Sequence, residues 1–313
     1  MALSSPNGDS YLLGYAGNWP RVAWPNGARV AVSLVVNFEE GAELSAGSGD
    51  ERNDACGELQ SSVPNGRRDL AMEQTFAYGT RAGYWRLLDL LTEHHLPATF
   101  LFCGRAVERT PQLAALVVER GHEAACHGYR WTNHALFTSA AEEEQSLRQA
   151  IHALESAGCG KPAGFYGRWG PSPATRGILR RLGFIYDSNA YDDDLPYYDV
   201  DESGSAILVI PYALDTNDYK FFEGDPWGTG QAYLDYLRSS LTILLAEGAR
   251  GYPRVLNVGL HLRISGRPGR LWGLREFFAH LNALGDQVWV ARRVDIARHW
   301  LAVVPPPAGA RGP

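Results

Sequence analysis

Long apolar runs are missing from this 313-residue chain, and no stretch approaches the ~18 consecutive apolar residues that a membrane-spanning helix needs. The first ten residues, MALSSPNGDS, carry neither the basic nor the apolar stretch of a secretory signal. The expectation is therefore a cytoplasmic protein without membrane attachment. Cysteine is scarce: the four present, Cys56, Cys103, Cys126 and Cys159, show no CxxC spacing. No CxxC metal or redox motif is present, and the thiols read as reduced and structural. Basic charge is not in excess either, since 29 Lys and Arg face 35 Asp and Glu for a net charge of −6. The basic residues are scattered, so no electrostatic footprint for nucleic acid exists. No phosphate loop or dinucleotide fingerprint occurs, which leaves hydrolysis without a nucleotide as the natural reaction class.

What the chain has in quantity is glycine (34), tyrosine (15) and tryptophan (9), a composition that suits an enzyme with many loops and an aromatic-lined pocket for a small molecule. Residues 1–28 read as an irregular arm that packs through Tyr11, Tyr15, Trp19 and Trp24. Residues 29–38 (RVAVSLVVNF) are apolar on both faces, as a parallel strand covered by helices should be. Residues 41–69 turn to Gly, Ser, Asp and Asn and form a long loop. Beyond it, strand-like runs at 98–103, 123–127, 164–168, 184–188, 207–212, 255–262 and 287–291 alternate with helical stripes, among them 78–95 and 105–120. About eight short strands alternating with helices predict an α/β fold, a barrel-like arrangement of parallel strands in one domain over 10–304. The proline-rich end, 305–313, is expected to be disordered.

The loops after the carboxyl ends of parallel strands line the site in such folds. Polar groups collect at those ends: Glu39 and Glu40, His127, Arg168, Asp187, Asp215 and Asp218, and His261. Strand neighbours point to opposite faces. If His127 faces the site, Cys126 faces the packing, and only one of Glu39 and Glu40 faces the pocket. Two crowded carboxylates raise the pKa of one of them, and either could serve as base or metal ligand; a solvated acidic turn is the plainer account.

Several of these runs carry a resemblance. VNFEEG (36–41), ACHGYRW (125–131), GFYGRWGPSPATR (164–176), YDSNAYDDDLPY (186–197), PYALDTND (211–218), GLHLRISGRPGR (259–270) and WVARRVDIARHW (289–300) together resemble the polysaccharide deacetylase, or NodB-homology, superfamily. The likeness is strongest to its cytoplasmic branch of metal-independent allantoinases and cyclic imide hydrolases. It implies a distorted (β/α) barrel and hydrolysis of an amide-type carbon–nitrogen bond. The superfamily's metal-dependent members hold zinc or a similar ion with one carboxylate from the first motif and two histidines four residues apart in the second. Here the first histidine is His127, and the residue four further on is Trp131, whose indole nitrogen is a donor and cannot ligate a cation. No cofactor is therefore expected. His134 leaves an alternative open, in which Glu40, His127 and His134 rebuild a divalent-metal site.

A metal-free cyclic amidase must deprotonate water, stabilise an oxyanion and protonate the leaving nitrogen. Glu39 or Glu40 is the candidate base, His261 the candidate acid, and His127 the partner sharing a proton with the carboxylate. Arg168 would orient a carbonyl or ureido group, or would pair with Asp187 in a buried network. Trp131, Tyr166, Trp169 and Asp215 are the candidate substrate contacts. The expected reaction is opening of a small cyclic amide, imide or hydantoin-like ring such as allantoin. Metal-dependent deacetylation of an N-acetylated sugar or amine, and a catalytically inactive ligand-binding barrel, are the competing readings. The aromatic arm and the 41–69 loop, a polar, glycine-rich excursion with too little apolar content to pack alone, are the expected subunit contacts of a homo-oligomer, a dimer or tetramer.

Overall fold

Nine consecutive buried residues, Val30–Phe38, form the first strand, β1, of a computed structural model that describes residues 12–54, 59, 63–223 and 228–313. Tyr11 and Cys56 lie outside the described residues. Alternation assigns β1 two jobs. Val30, Val32, Leu34, Val36 and Phe38 join the outer core against the helices, whereas Val35 joins a small inner cluster with Leu101, Ala125, Tyr166 and Tyr212. Truncating an outer-core aromatic such as Phe38 to Ala would cost about 3–5 kcal/mol.

The other strands are β2 (Thr99–Phe102), β3 (Glu123–Cys126), β4 (Gly164–Phe165), β5 (Tyr186–Asp187), β6 (Tyr197–Val200), β7 (Ala206–Val209), β8 (Arg254–His261) and β9 (Val288–Val290). They form one curled sheet in the order β6-β7-β5-β4-β3-β2-β1-β8. β1 shares one edge between two partners: Val30, Ala31 and Val32 pair with β9, and Val35 to Phe38 pair with β2. Its other edge runs along β8 from Val30↔Arg254 to Asn37↔His261. Every pairing is parallel except β6 with β7. Among the described residues no ladder joins β7 to β8, and the bridge Asn217↔Gly259 spans that seam, with the Gly259 N–H donating to Thr216 at 3.2 Å. The result is the expected distorted barrel, mostly parallel, with an incomplete wall.

Several local readings change. The helix expected at 78–95 begins earlier, at Leu70–Tyr78, where the Asp69 side chain caps the Met72 N–H at 3.0 Å. It passes through a π-turn, Gly79–Gly83, into Tyr84–Glu93. The π-turn presses on the chain below it: a Cβ at Gly79 would collide with the Glu40 carboxylate, and one at Gly83 with the Leu262 carbonyl. The helix expected at 105–120 divides at Thr110 into Gly104–Arg109 and Pro111–Glu119, because proline is accommodated at a helix start and not inside. A ninth strand, β6, was not foreseen; its four residues, half of them only partly buried, carry no apolar period to announce it. Near the end of the chain the Ala206 N–H donates to the Arg311 carbonyl at 2.8 Å and the Arg311 N–H to Gly204 at 2.7 Å, on the hairpin edge.

Candidate active site

The inward positions of β1 line up as Ser33, Val35, Asn37 and, one step beyond the strand, Glu39. At the amino-terminal end of this column Arg293 is wholly buried, donating to Asn257 at 2.5 Å, Ser188 at 3.0 Å and the carbonyls of Ile210 and Pro211 at 2.5 and 2.9 Å. Tyr166 and Tyr212, stacked with ring centroids 4.2 Å apart, fill the middle. Above them, at the carboxyl ends, Asn37, Glu39, His127 and His261 open into a narrow cavity of about 50 Å³.

Glu39 is the centre. Its Oε1 lies 3.4 Å from His127 Nε2 and 3.2 Å from His261 Nε2, and its Oε2 accepts from Arg263 at 2.6 Å. Burial alone would push this carboxyl up, but Arg263 and the two histidines outweigh it and hold Glu39 well below the usual carboxylate range. His127 is fixed from behind: Nδ1 meets the Tyr166 carbonyl, which can only accept, so Nδ1 carries a hydrogen and Nε2 is presented to Glu39. His261 sits between carboxylates. Its Nδ1 donates to Asp218 at 2.6 Å, and Asp218 is itself held by the His261 backbone N–H at 2.8 Å and by Ser265 at 2.6 Å. Burial works against a charged imidazole, yet Glu39 and Asp218 prevail and raise His261 to about 9.

Glu40 turns the other way, as alternation requires. It accepts the Glu39 N–H at 3.1 Å, lies 3.5 Å from Arg263, and is covered by the π-turn at Gly79. Burial raises it to about 7, with Arg263 opposing and Glu39 adding to the rise. Of the two candidate bases, only Glu39 lines the cavity.

Trp131, 3% exposed, forms a wall of the cavity, its ring 3.5 Å from the Arg168 guanidinium and 5.1 Å from that of Arg263. Trp169, 57% exposed, covers the other face of Arg168 at 4.1 Å and adopts φ +60. That left-handed backbone, uncommon for a tryptophan, stands at the cavity mouth. Arg168 does not pair with Asp187, which binds Arg176 at 2.9 Å; it donates instead to Asp54 and to the Trp131 carbonyl, both at 2.9 Å. Asp54 brings in the 41–69 loop, which Arg130 also fastens through Asp50 at 2.7 Å and the carbonyls of Ala42 and Glu43 at 3.0 and 2.9 Å.

Two candidates are misplaced. Asp215 is not a substrate contact in this cavity: it is exposed, accepts from Tyr236 at 2.9 Å, and lines a separate outer cleft with Asp192, Asp193 and Asp194. The same turn sends Asn217 into the cavity and Asp218 to His261 instead. His134 is buried away from the site, with Nδ1 3.0 Å from Glu143 and its ring against Phe137 and Phe165. Glu40, His127 and His134 therefore do not come together, and among the described residues no group of three or more His, Cys, Asp or Glu is arranged to hold a metal. The residues present do not fit the carboxylate and two-histidine set of the metal-dependent branch. Cys126 faces the outer core as expected, and burial pushes its thiol up to about 12.

Arg263, Asn37 and Asn217 were not singled out from the sequence. Arg263 had one available signal, its position two residues beyond His261, but it lies on a helical turn, Leu262–Ser265, where strand alternation no longer assigns a face.

Residues 65–184 match the polysaccharide deacetylase family. A Schizosaccharomyces pombe protein assigned as a polysaccharide deacetylase is 33% identical over 302 residues, covering 90% of this chain and 93% of its own. Two solved structures are each 38% identical with a TM-score of 0.88, covering 96% of this chain and 99% of theirs. One is a Pseudomonas aeruginosa PAO1 protein assigned as a polysaccharide deacetylase, and the other is PuuE allantoinase.

Proposed function

The chain belongs to the polysaccharide deacetylase family and is a hydrolase of carbon–nitrogen bonds, and from that premise we propose that it opens a small cyclic amide, imide or hydantoin-like ring, with allantoin the leading candidate. The observation that carries this reading is the Glu39 carboxylate poised between the Nε2 atoms of His127 and His261, in a small cavity walled by Trp131 where a second ligating histidine would stand. The likeness to PuuE allantoinase supports it.

A water held by Glu39 Oε1 and His127 Nε2 gives its proton to that pair while its oxygen bonds to the ring carbonyl carbon. Arg168 and the protonated His261 offset the oxyanion that forms. His261 then passes its Nε2 proton to the ring nitrogen as the carbon–nitrogen bond breaks, leaving a carboxylic acid and a freed nitrogen. Glu39 Oε1, 3.2 Å from His261 Nε2, returns the proton taken from water and restores the starting state. Asp218 holds the imidazole in place throughout. Nitrogen expulsion needs an acid that stays protonated at neutral pH, and a histidine raised to about 9 meets that need.

The test is ring opening of allantoin, hydantoin and succinimide by purified protein, before and after chelation. Chelator-resistant opening is expected, with loss of about 10²-fold or more in Glu39→Gln and His261→Asn. Failure to open any ring, together with chelator-sensitive release of acetate from an N-acetylated sugar, would replace this reading with deacetylation.

A further inference from the structure

Asn37 is 1% exposed and lies on the inward face of β1, one step before Glu39 in that column. Its Nδ2 donates to the Tyr212 hydroxyl at 3.2 Å and to the Leu260 carbonyl at 3.1 Å. The second partner fixes the amide orientation, because a carbonyl accepts only, and turning the amide over would set two oxygens against each other. With Nδ2 committed, Asn37 Oδ1 is left buried with no hydrogen-bond partner among the described residues, in the wall of the cavity that holds Glu39, His127 and His261. Native interiors leave few such acceptors, and those that remain call for an explanation. Neither neighbouring amide nor hydroxyl supplies it: Asn217 Nδ2 is turned to Tyr212 at 3.0 Å, and Tyr212 receives both asparagines.

We propose that Asn37 Oδ1 selects the substrate by accepting a hydrogen bond from a ring N–H, so that rings with a free lactam, imide or ureido N–H are opened and their N-alkylated counterparts are rejected. This rests on the ring-opening reading above and narrows it to one class of ring. An ester, a lactone or a fully substituted amide offers no hydrogen to this oxygen and leaves it buried and unpaired in the complex. A site built to bond a substrate N–H discriminates against the analogue lacking it far more strongly than an apolar pocket discriminates by size, up to about 10⁴-fold.

The experiment compares kcat/KM for succinimide with N-methylsuccinimide, and for hydantoin with its two N-methyl isomers, in the wild-type protein and in Asn37→Leu. The expected result is a wild-type preference of at least about tenfold for the N–H ring in each series, falling towards unity in Asn37→Leu because the isosteric side chain has no acceptor. Equal rates on methylated and unmethylated rings in the wild type would overturn the inference while leaving ring opening intact. A preference that survives in Asn37→Leu would overturn it too, since size alone would then account for the selection. No opening of any ring would overturn the parent reading and this inference together. The wild-type comparison needs no variant, so a poorly folded Asn37→Leu leaves the proposal exposed to refutation.

Discussion

Replacing Glu40 with glutamine isolates the cost of a carboxyl confined beneath the π-turn. Its surroundings are Gly79 above, the Glu39 N–H at 3.1 Å and Arg263 at 3.5 Å. Burial moves Glu40 from 4.5 to about 7, so the folded chain keeps a proton there that the unfolded chain has released. A carboxyl raised in this way contributes stability that is fully present below the unfolded pKa and is lost as pH climbs through the folded one. The span is 7 − 4.5, or 2.5 pH units, which at 1.36 kcal/mol per unit makes the loss about 3 kcal/mol. Glutamine keeps an oxygen for the Glu39 N–H and cannot ionise. The variant should match the wild type near pH 4.5 and exceed it by about 3 kcal/mol at pH 8. Urea unfolding followed by tryptophan fluorescence at the two pH values measures this as a difference of differences, which cancels the titration of every other group. An offset between the proteins that is the same at both pH values would refute the reasoning.

The pH dependence of kcat/KM should fall on the alkaline side near 9, where His261 gives up its proton, and Asp218→Asn should move that limb towards neutrality by removing a charge that raises the imidazole; an unmoved limb in the variant argues against His261 as the acid. Gly259→Ala sets a methyl group against the Tyr212 hydroxyl at the seam bridge, and thermal denaturation should register a loss of about 1–3 kcal/mol, whereas an unchanged melting temperature would mean the seam yields freely. The polar loop and aromatic arm lead us to expect a dimer or tetramer, and light scattering that returns the mass of one chain would dismiss that expectation.

The barrel was legible because its strands are short, apolar and regularly spaced, and parity along β1 placed Glu39 and Glu40 on opposite faces without saying which faced inward. The tryptophan four residues after His127 was readable as the loss of a metal ligand for a chemical reason, the indole being a donor. The errors fall where sequence spacing stops fixing direction. Asp215 lies in a turn, where neither a period of 2 nor one of 3.6 holds, and it points outward while Asn217 and Asp218 point in. Arg263 and Asn37 act through partners remote in sequence: Arg263 meets Glu39 across 224 residues and Asn37 meets Tyr212 across 175. No local pattern encodes such pairs. His134 drew notice for its residue type, and its fate was decided by Glu143 on the following helix, Ala140–Ser156.

The shared edge of β1 bears on how the chain is made. β1 leaves the ribosome well before two of its three partners, β8 and β9, and Glu39 waits 224 residues for Arg263. At roughly 5–20 residues per second that interval is about ten to forty-five seconds, during which a nine-residue strand destined for complete burial has neither its β8 edge nor its β9 pairing. Such contact order makes folding slow and exposes sticky intermediates. Synthesis of this protein should therefore lean on holding chaperones, and a chain truncated before β8 should accumulate as aggregate.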